Sequence, residues 1–217
     1  MTTSQGRTGR IRYVALGDSL TAGRGAYFSG GLVAAYGHLA EKALNRPLER
    51  KAVGISGATT GELLGLLEQS PRIRYMVGEA ELLTLTAGGN DLIDAAKLYA
   101  VDRNAGRLAK ALDRCHEDYR ELLQAIRRLK NGSGPYVIRA ALLYNPLPSV
   151  PEAAEWVKRC NRLLGSLAGG SVQFASVYAL FEGRERELLS ADGIHPNAKG
   201  YQVIAEQLHR LGYGALA

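Results

Sequence analysis

The feature that most constrains this chain is its rhythm: short apolar runs alternate with longer stretches of helical periodicity, and three of the short runs end in polar, glycine-rich segments. Ile11–Leu16 (IRYVAL) reads as a buried strand closing at Gly17, and Leu48–Val53 as a strand of poorer propensity. Glu81–Thr86 (ELLTLT) is a strong strand signal closed by Ala87-Gly88-Gly89. Tyr136–Leu143, broken by Asn145-Pro146-Leu147-Pro148, and Val172–Val177 complete a set of five. Gly31–Leu44 places Leu32, Ala35, Tyr36, Leu39, Ala40 and Ala43 at the spacing of one helix face. Thr60–Leu67 follows as a helix with Thr59 or Thr60 as N-cap, and Asn104–Lys130 as one long helix stopped by Asn131-Gly132. Pro151–Leu167 and a closing helix over Asn197–Leu211 complete the pattern.

This β/α alternation, without repeats or a long linker, predicts one doubly wound α/β domain over 10–217: a mostly parallel five-stranded sheet with helices on both faces. Residues 1–9 are expected to be a disordered lead-in. Ligands of such sheets bind in the crevice outside the carboxyl ends of the strands. Gly17-Asp18-Ser19, Ser56-Gly57-Ala58-Thr59-Thr60 and Gly88-Gly89-Asn90-Asp91 each follow a strand, so three loops are expected to converge there.

The charge balance narrows the function classes. The net charge of +6 is dispersed, with modest clusters at Arg46–Lys51, Arg127–Lys130 and Arg184–Arg186. No basic face with interleaved aromatics emerges, so no nucleic-acid partner is expected. The charge reads as solvated surface, weakly attractive to anionic substrates or membranes. No 18-residue apolar stretch and no apolar signal segment follow the polar start, so the expectation is a cytoplasmic protein without stable membrane insertion. Cys115 and Cys160 lie in helical patterns without metal-ligand spacing and read as buried free thiols, in keeping with a reducing compartment.

Chemistry concentrates in four segments. In Gly17-Asp18-Ser19-Leu20 a serine at the first strand's end has its hydroxyl and its N–H within reach of the crevice. In Asp192-Gly193-Ile194-His195-Pro196, an offset of three residues lets the Asp192 carboxylate reach Nδ1–H of His195, leaving Nε2 free to take a proton. Asn90 is a neutral N–H donor suited to an oxyanion, and Gly57 permits close approach to a backbone N–H. Each segment, taken alone, also reads as an ordinary turn or cap. His38, His116 and His209 fall in helical patterns with no comparable setting.

Together, and in this order, GDSL at 17–20, Gly57, GGND at 88–91 and DGIHP at 192–196 resemble the four blocks of the SGNH hydrolases, also called GDSL lipases and esterases. The resemblance covers about residues 11–205. It implies a flavodoxin-like three-layer α/β/α sandwich, with Ser19 as nucleophile, His195 as base and Asp192 as its orienter. It also implies an oxyanion hole of Ser19 N–H, Gly57 N–H and the Asn90 side chain, and chemistry that needs neither metal nor organic cofactor. The expected reaction is hydrolysis of a carboxylic ester through an acyl-enzyme on Ser19.

Rival readings lack their residues. A metallohydrolase would need a ligand cluster such as HExxH, and the other class of α/β serine hydrolase needs a GxSxG elbow. A flavodoxin-like nucleotide-binding protein, the non-enzyme alternative, would need a phosphate loop; the one GxGxx[GA] match, Gly212–Ala217, follows the last helix. Short loops leave little material for a lid, favouring a small-molecule or single-chain lipid ester, a short or medium acyl ester or a lysophospholipid. Carbohydrate O-acetylesterase or acyl-thioesterase activity is the enzymatic alternative. Gly88–Tyr99 and Tyr144–Val150 are the segments expected to shape the pocket.

Overall fold

The computed structural model describes residues 9–27 and 29–217. Five strands, β1 (Ile11–Gly17), β2 (Leu48–Gly54), β3 (Leu82–Thr86), β4 (Val137–Ala141) and β5 (Val172–Ala175), form one sheet in the order β2-β1-β3-β4-β5, with every neighbouring pair parallel. This is the flavodoxin-like order, and chain direction across the sheet reverses between β1 and β3.

Alternation along each central strand feeds two cores. On β1, Ile11, Tyr13 and Ala15 face one side while Val14 and Leu16 face the other; on β4, Val137 and Ala141 oppose Ile138 and Ala140. The helices divide accordingly. One face is covered by α1 (Gly31–Leu44) and, after the five helices next described, by the C-terminal helices. The other carries α2 (Thr60–Gln69), α3 (Pro71–Glu79), α4 (Gly89–Asp102), α5 (Ala105–Leu129) and α6 (Pro151–Gly165). Two short helices, α7 (Tyr178–Phe181) and α8 (Glu185–Leu188), then lead into α9 (Ala198–Arg210), which packs on α1. Helix α5 buries Leu108, Leu112, Cys115, Tyr119, Leu122 and Ile126 in a three-four stripe, each large side chain contributing about 1.5–3 kcal/mol of burial free energy.

The expected elements are present, and their ends fall on caps. Asn104 accepts from Arg107 N–H at the start of α5, Asn197 from Gly200 N–H at the start of α9, and Thr59 forms a capping box with Glu62. Strand β2 has a half-exposed pattern because it is a sheet edge, which accounts for its weak apolar signal. Two stretches differ from expectation. Residues 71–79 form α3, started by Ser70 capping Ile73 N–H and Pro71 at the first helical position; only Ile73 and Val77 are buried, so the period was faint. Residues 89–102 form helix α4, in a stretch where the sequence predicted no helix and only Gly88–Asp91 reads as a loop after the strand. Gly88 at φ 96° takes the left-handed conformation that turns the end of β3 directly into the helix, so its two glycines mark a junction rather than a break. Short α7 and α8 also carried no periodic signal. Of the lead-in expected over 1–9, residues 1–8 lie outside the described residues, and the Gly9 carbonyl accepts from Arg46 Nε. Both cysteines are buried and free.

Candidate active site

The switch between β1 and β3 places two of the polar segments side by side. Gly17 ends β1 so close to β3 that a Cβ there would lie 2.2 Å from Thr86 Oγ1, and the next residue, Asp18, is buried beneath the loop. Asp18 Oδ1 accepts from Leu20 N–H at 2.9 Å and from the Thr86 hydroxyl at 2.8 Å, folding a tight turn with Ser19 at its apex. Thr21 Oγ1 joins Thr86 Oγ1 at 2.8 Å, so a buried polar network fastens the turn to β3.

Burial pushes the Asp18 carboxyl up to about 6, against the lowering effect of those two hydrogen bonds. A carboxyl raised when folded contributes stability below its unfolded value near 3.8, and loses it as pH rises through about 6. Asp18→Asn keeps an acceptor for Leu20 N–H and the Thr86 hydroxyl without the buried charge. The variant is expected to gain stability over wild type, on the order of 3 kcal/mol, above pH 6, and to lose that advantage towards pH 4. Denaturant unfolding across pH tests this; a pH-independent difference would refute it.

The segment after α8 supplies the other half. Asp192 Oδ1 accepts from the Ser190 hydroxyl and from the N–H groups of Ile194 and His195, at 2.8–2.9 Å. Its Oδ2 meets His195 Nδ1 at 2.7 Å, and His195 Nε2 meets Ser19 Oγ at 2.9 Å. Partial burial would raise the Asp192 carboxyl, but the donors from His195, Ile194 and Ser190 outweigh it and hold the carboxyl well below its ordinary value. The loop is tied from outside as well: Tyr144, stacked on Phe181, donates its hydroxyl hydrogen bond to Ile194 O at 2.7 Å.

The third element is a clamp between α2 and α4. Asn90 Nδ2 donates to Ala58 O at 2.8 Å, and Asp91 Oδ2 accepts from the Thr60 N–H and hydroxyl at 2.9 and 3.0 Å. Two consecutive side chains at the start of α4 thus hold the Ser56–Thr60 segment, in which Gly57 has φ 86°. Open space lies where a Gly57 Cβ would be, so the left-handed backbone rather than crowding calls for glycine.

Ser19, Gly57, Asn90, Asp192 and His195, the five residues expected from the sequence, all line one cavity of about 810 Å³. Its walls away from Ser19 are largely apolar: Ile93, Ala96 and Ala100 on one face of α4, Leu143 and Leu147 after β4, and Trp156 on α6. Tyr99 and Trp156 meet edge to face at 5.0 Å where α4 and α6 converge. Tyr144, at the start of the expected pocket-shaping segment Tyr144–Val150, lines the cavity, as do Asp18, Thr86 and Arg24, to which the sequence assigned no role of their own. His116 and His209 do not line the cavity, and His209 Nδ1 lies 2.8 Å from the Tyr213 hydroxyl. Among the described residues, no three His, Cys, Asp or Glu side chains cluster in a way that could hold a metal ion, and no helix is long and apolar enough to cross a membrane.

Comparison with known proteins decides the family. The profile of the GDSL-like lipase/acylhydrolase family matches residues 15–203. The chain belongs to that family. Within it, the spore germination lipase LipC of Bacillus licheniformis is 36% identical over 209 residues, 95% of this chain and 98% of that protein. The crystal structure of the lipase Lip_vut3 from a goat rumen metagenome superposes with a TM-score of 0.90 at 36% identity, covering 95% of this chain and all of the other. The acetylxylan esterase Axe2 of Geobacillus stearothermophilus shares the fold at a TM-score of 0.71 and 18% identity, with 96% of each chain covered. This GDSL-family protein is therefore a carboxylic ester hydrolase, a lipase or esterase with the three-layer α/β/α fold of its relatives.

Proposed function

We propose that this GDSL-family enzyme hydrolyses single-chain acyl esters through an acyl-enzyme on Ser19. The observation that carries this reading is the run of short contacts Asp192–His195–Ser19, at 2.7 and 2.9 Å, opening on a largely apolar cavity of about 810 Å³. Ser19 Oγ attacks the ester carbonyl as Nε2 of His195 takes its proton. The developing oxyanion is met by the N–H groups of Ser19 and Gly57 and by Asn90 Nδ2. That nitrogen carries two hydrogens; one is held by Ala58 O, which aims the other. His195 then protonates the leaving alcohol, and water releases the acyl group in a second half-reaction with His195 again as base.

The cavity favours an aliphatic acyl group. An acetyl group would leave most of it unfilled, and its walls offer a sugar few polar partners, so the carbohydrate O-acetylesterase reading fits less well. Hydrolysis of a p-nitrophenyl ester in chelator-containing buffer, abolished by a serine-directed phosphonate, is the expected result. Absence of both turnover and labelling overturns the reading.

Two further outcomes follow from the geometry. Asn90→Ala removes a donor that acts chiefly on the transition state and is expected to lower kcat by roughly 10²–10³ with KM little changed. A purely KM effect, from steady-state kinetics on a soluble ester, would make Asn90 a ground-state contact instead. The Asp192 side chain is 47% exposed and that of His195 25%, so nothing has to move to uncover them. Rates are therefore expected to peak on short or medium acyl chains and to rise smoothly with concentration; a sharp rise at the onset of an oil–water interface would show that a segment covers the site.

A further inference from the structure

We infer that Trp156, braced by Tyr99, stops the acyl chain inside the cavity and so sets the longest chain the enzyme accepts, an inference that rests on the ester hydrolysis proposed above. Helices α4 and α6 run antiparallel, and three contacts order them like rungs. At the start of α4, a Cβ on Gly88 would lie 3.1 Å from Leu164 Cδ1 in the last turn of α6. Further along, the Tyr99 and Trp156 rings meet edge to face at 5.0 Å. Arg103, which caps the far end of α4, reaches Glu152 in the first turn of α6, with Nη1 and Oε1 3.9 Å apart. The seam between the helices therefore has a direction. It starts beside Asn90 and ends at an exposed ion pair.

The cavity follows this seam. Ile93, Ala96 and Ala100, spaced by three and four, present one stripe of α4 to it, and Ala153 and Val157 line it from α6. Against these small side chains, Tyr99 and Trp156 are the aromatic rings that the two helices give the cavity. The rings are held from outside, because the Arg103 guanidinium lies over the Tyr99 ring, 5.6 Å from its centroid, while it pairs with Glu152. A chain that passed the rings would go on to cover that ion pair and strip water from two charges. Bulk and polarity thus stop the chain in the same place. Helix geometry gives the scale. From Asn90, the donor proposed for the oxyanion, to Tyr99 is nine residues, about 13.5 Å along α4. An extended alkyl chain with bonds of about 1.5 Å advances about 1.25 Å per carbon, so about ten carbons reach the rings.

The test measures kcat/KM on butanoyl, octanoyl, decanoyl and dodecanoyl p-nitrophenyl esters, each below its solubility limit. Wild type is expected to rise towards the decanoyl ester and to fall at the dodecanoyl. Trp156→Ala is expected to raise the ratio of kcat/KM values, dodecanoyl over octanoyl, by about 10- to 100-fold, since the added methylenes then gain apolar contact instead of meeting the ring. Trp156→Phe should fall between the two. Ala96→Phe places a new ring about 9 Å along α4 from Asn90 and is expected to act in the opposite sense, moving the best substrate from decanoyl towards butanoyl. Opposite shifts in the two variants cannot come from a general loss of folding. Should Trp156→Ala fail to fold, Trp156→Leu, which keeps an apolar side chain without the indole, carries the same expectation. An unchanged ratio in the folded Trp156 variant, or equal losses on every ester, overturns the proposal. A wild-type protein inert towards all four esters and unlabelled by phosphonate fails earlier, at the ester hydrolysis on which the inference rests.

Discussion

Ser19→Ala is expected to abolish phosphonate labelling and to reduce ester turnover by several orders of magnitude, on the order of 10⁶ where the corresponding serine of subtilisin is removed. The size follows from how the groups are coupled. His195 Nε2 meets Ser19 Oγ at 2.9 Å, and in the proposed mechanism its loss leaves the base with no nucleophile to activate. The turn itself is held by Asp18 Oδ1 and Thr86, not by the Ser19 side chain, so the variant should keep its fold and its unfolding midpoint. That makes the experiment clean: intact mass after phosphonate treatment, with thermal unfolding as the control. Covalent labelling retained by folded Ser19→Ala would sink the assignment. His195→Ala should be similarly impaired, and the double variant barely worse than either, because residues acting as one unit give non-additive losses.

Much of this arrangement was legible in the sequence because its parts are local. Asp192 and His195 are three residues apart, and Gly17-Asp18-Ser19 directly ends a strand that is apolar but for Arg12, so turn chemistry and strand pattern were enough to place each segment. The order of elements then predicted a parallel sheet, whose carboxyl edge gathers the loops. What stayed hidden depends on partners distant in the chain. Thr86 is an unremarkable strand residue until Asp18 reaches it across 68 positions, and Tyr144 tethers Ile194 across 50. Helix α4 was missed for a different reason. Gly88-Gly89 is a turn signal by composition, but here the first glycine adopts a positive φ at the helix start, where glycine shapes an entry instead of an end. The consequence reaches the site, since the pocket-shaping segment Gly88–Tyr99 lies in α4 and supplies a helical wall to the cavity.

Asp192→Asn tests how the base is set up. In the wild type, Oδ1 holds the loop through Ser190, Ile194 and the backbone of His195, while Oδ2 faces His195 Nδ1 at 2.7 Å. Asparagine divides these duties unevenly. Its carbonyl oxygen can take over the three Oδ1 contacts and keep the loop, which leaves its NH₂ group where Oδ2 was. An N–H donor facing Nδ1 favours the tautomer with the proton on Nε2, the nitrogen that must accept from Ser19 Oγ. The stabilising anion for the imidazolium is lost at the same time. In the serine-protease example this change costs about 10⁴ in kcat. The loss here is expected to exceed tenfold yet stay below that of Ser19→Ala, because Tyr144 and the backbone contacts still restrain the histidine loop. Asp192→Ala should fall further and unfold earlier, since it forfeits the loop contacts as well. Single-turnover rates, with ¹⁵N shifts of the His195 ring to read its tautomer, separate orientation from folding. Near-wild-type rates in Asp192→Asn, with the proton still on Nδ1, would reduce the catalytic unit to Ser19 and His195 alone.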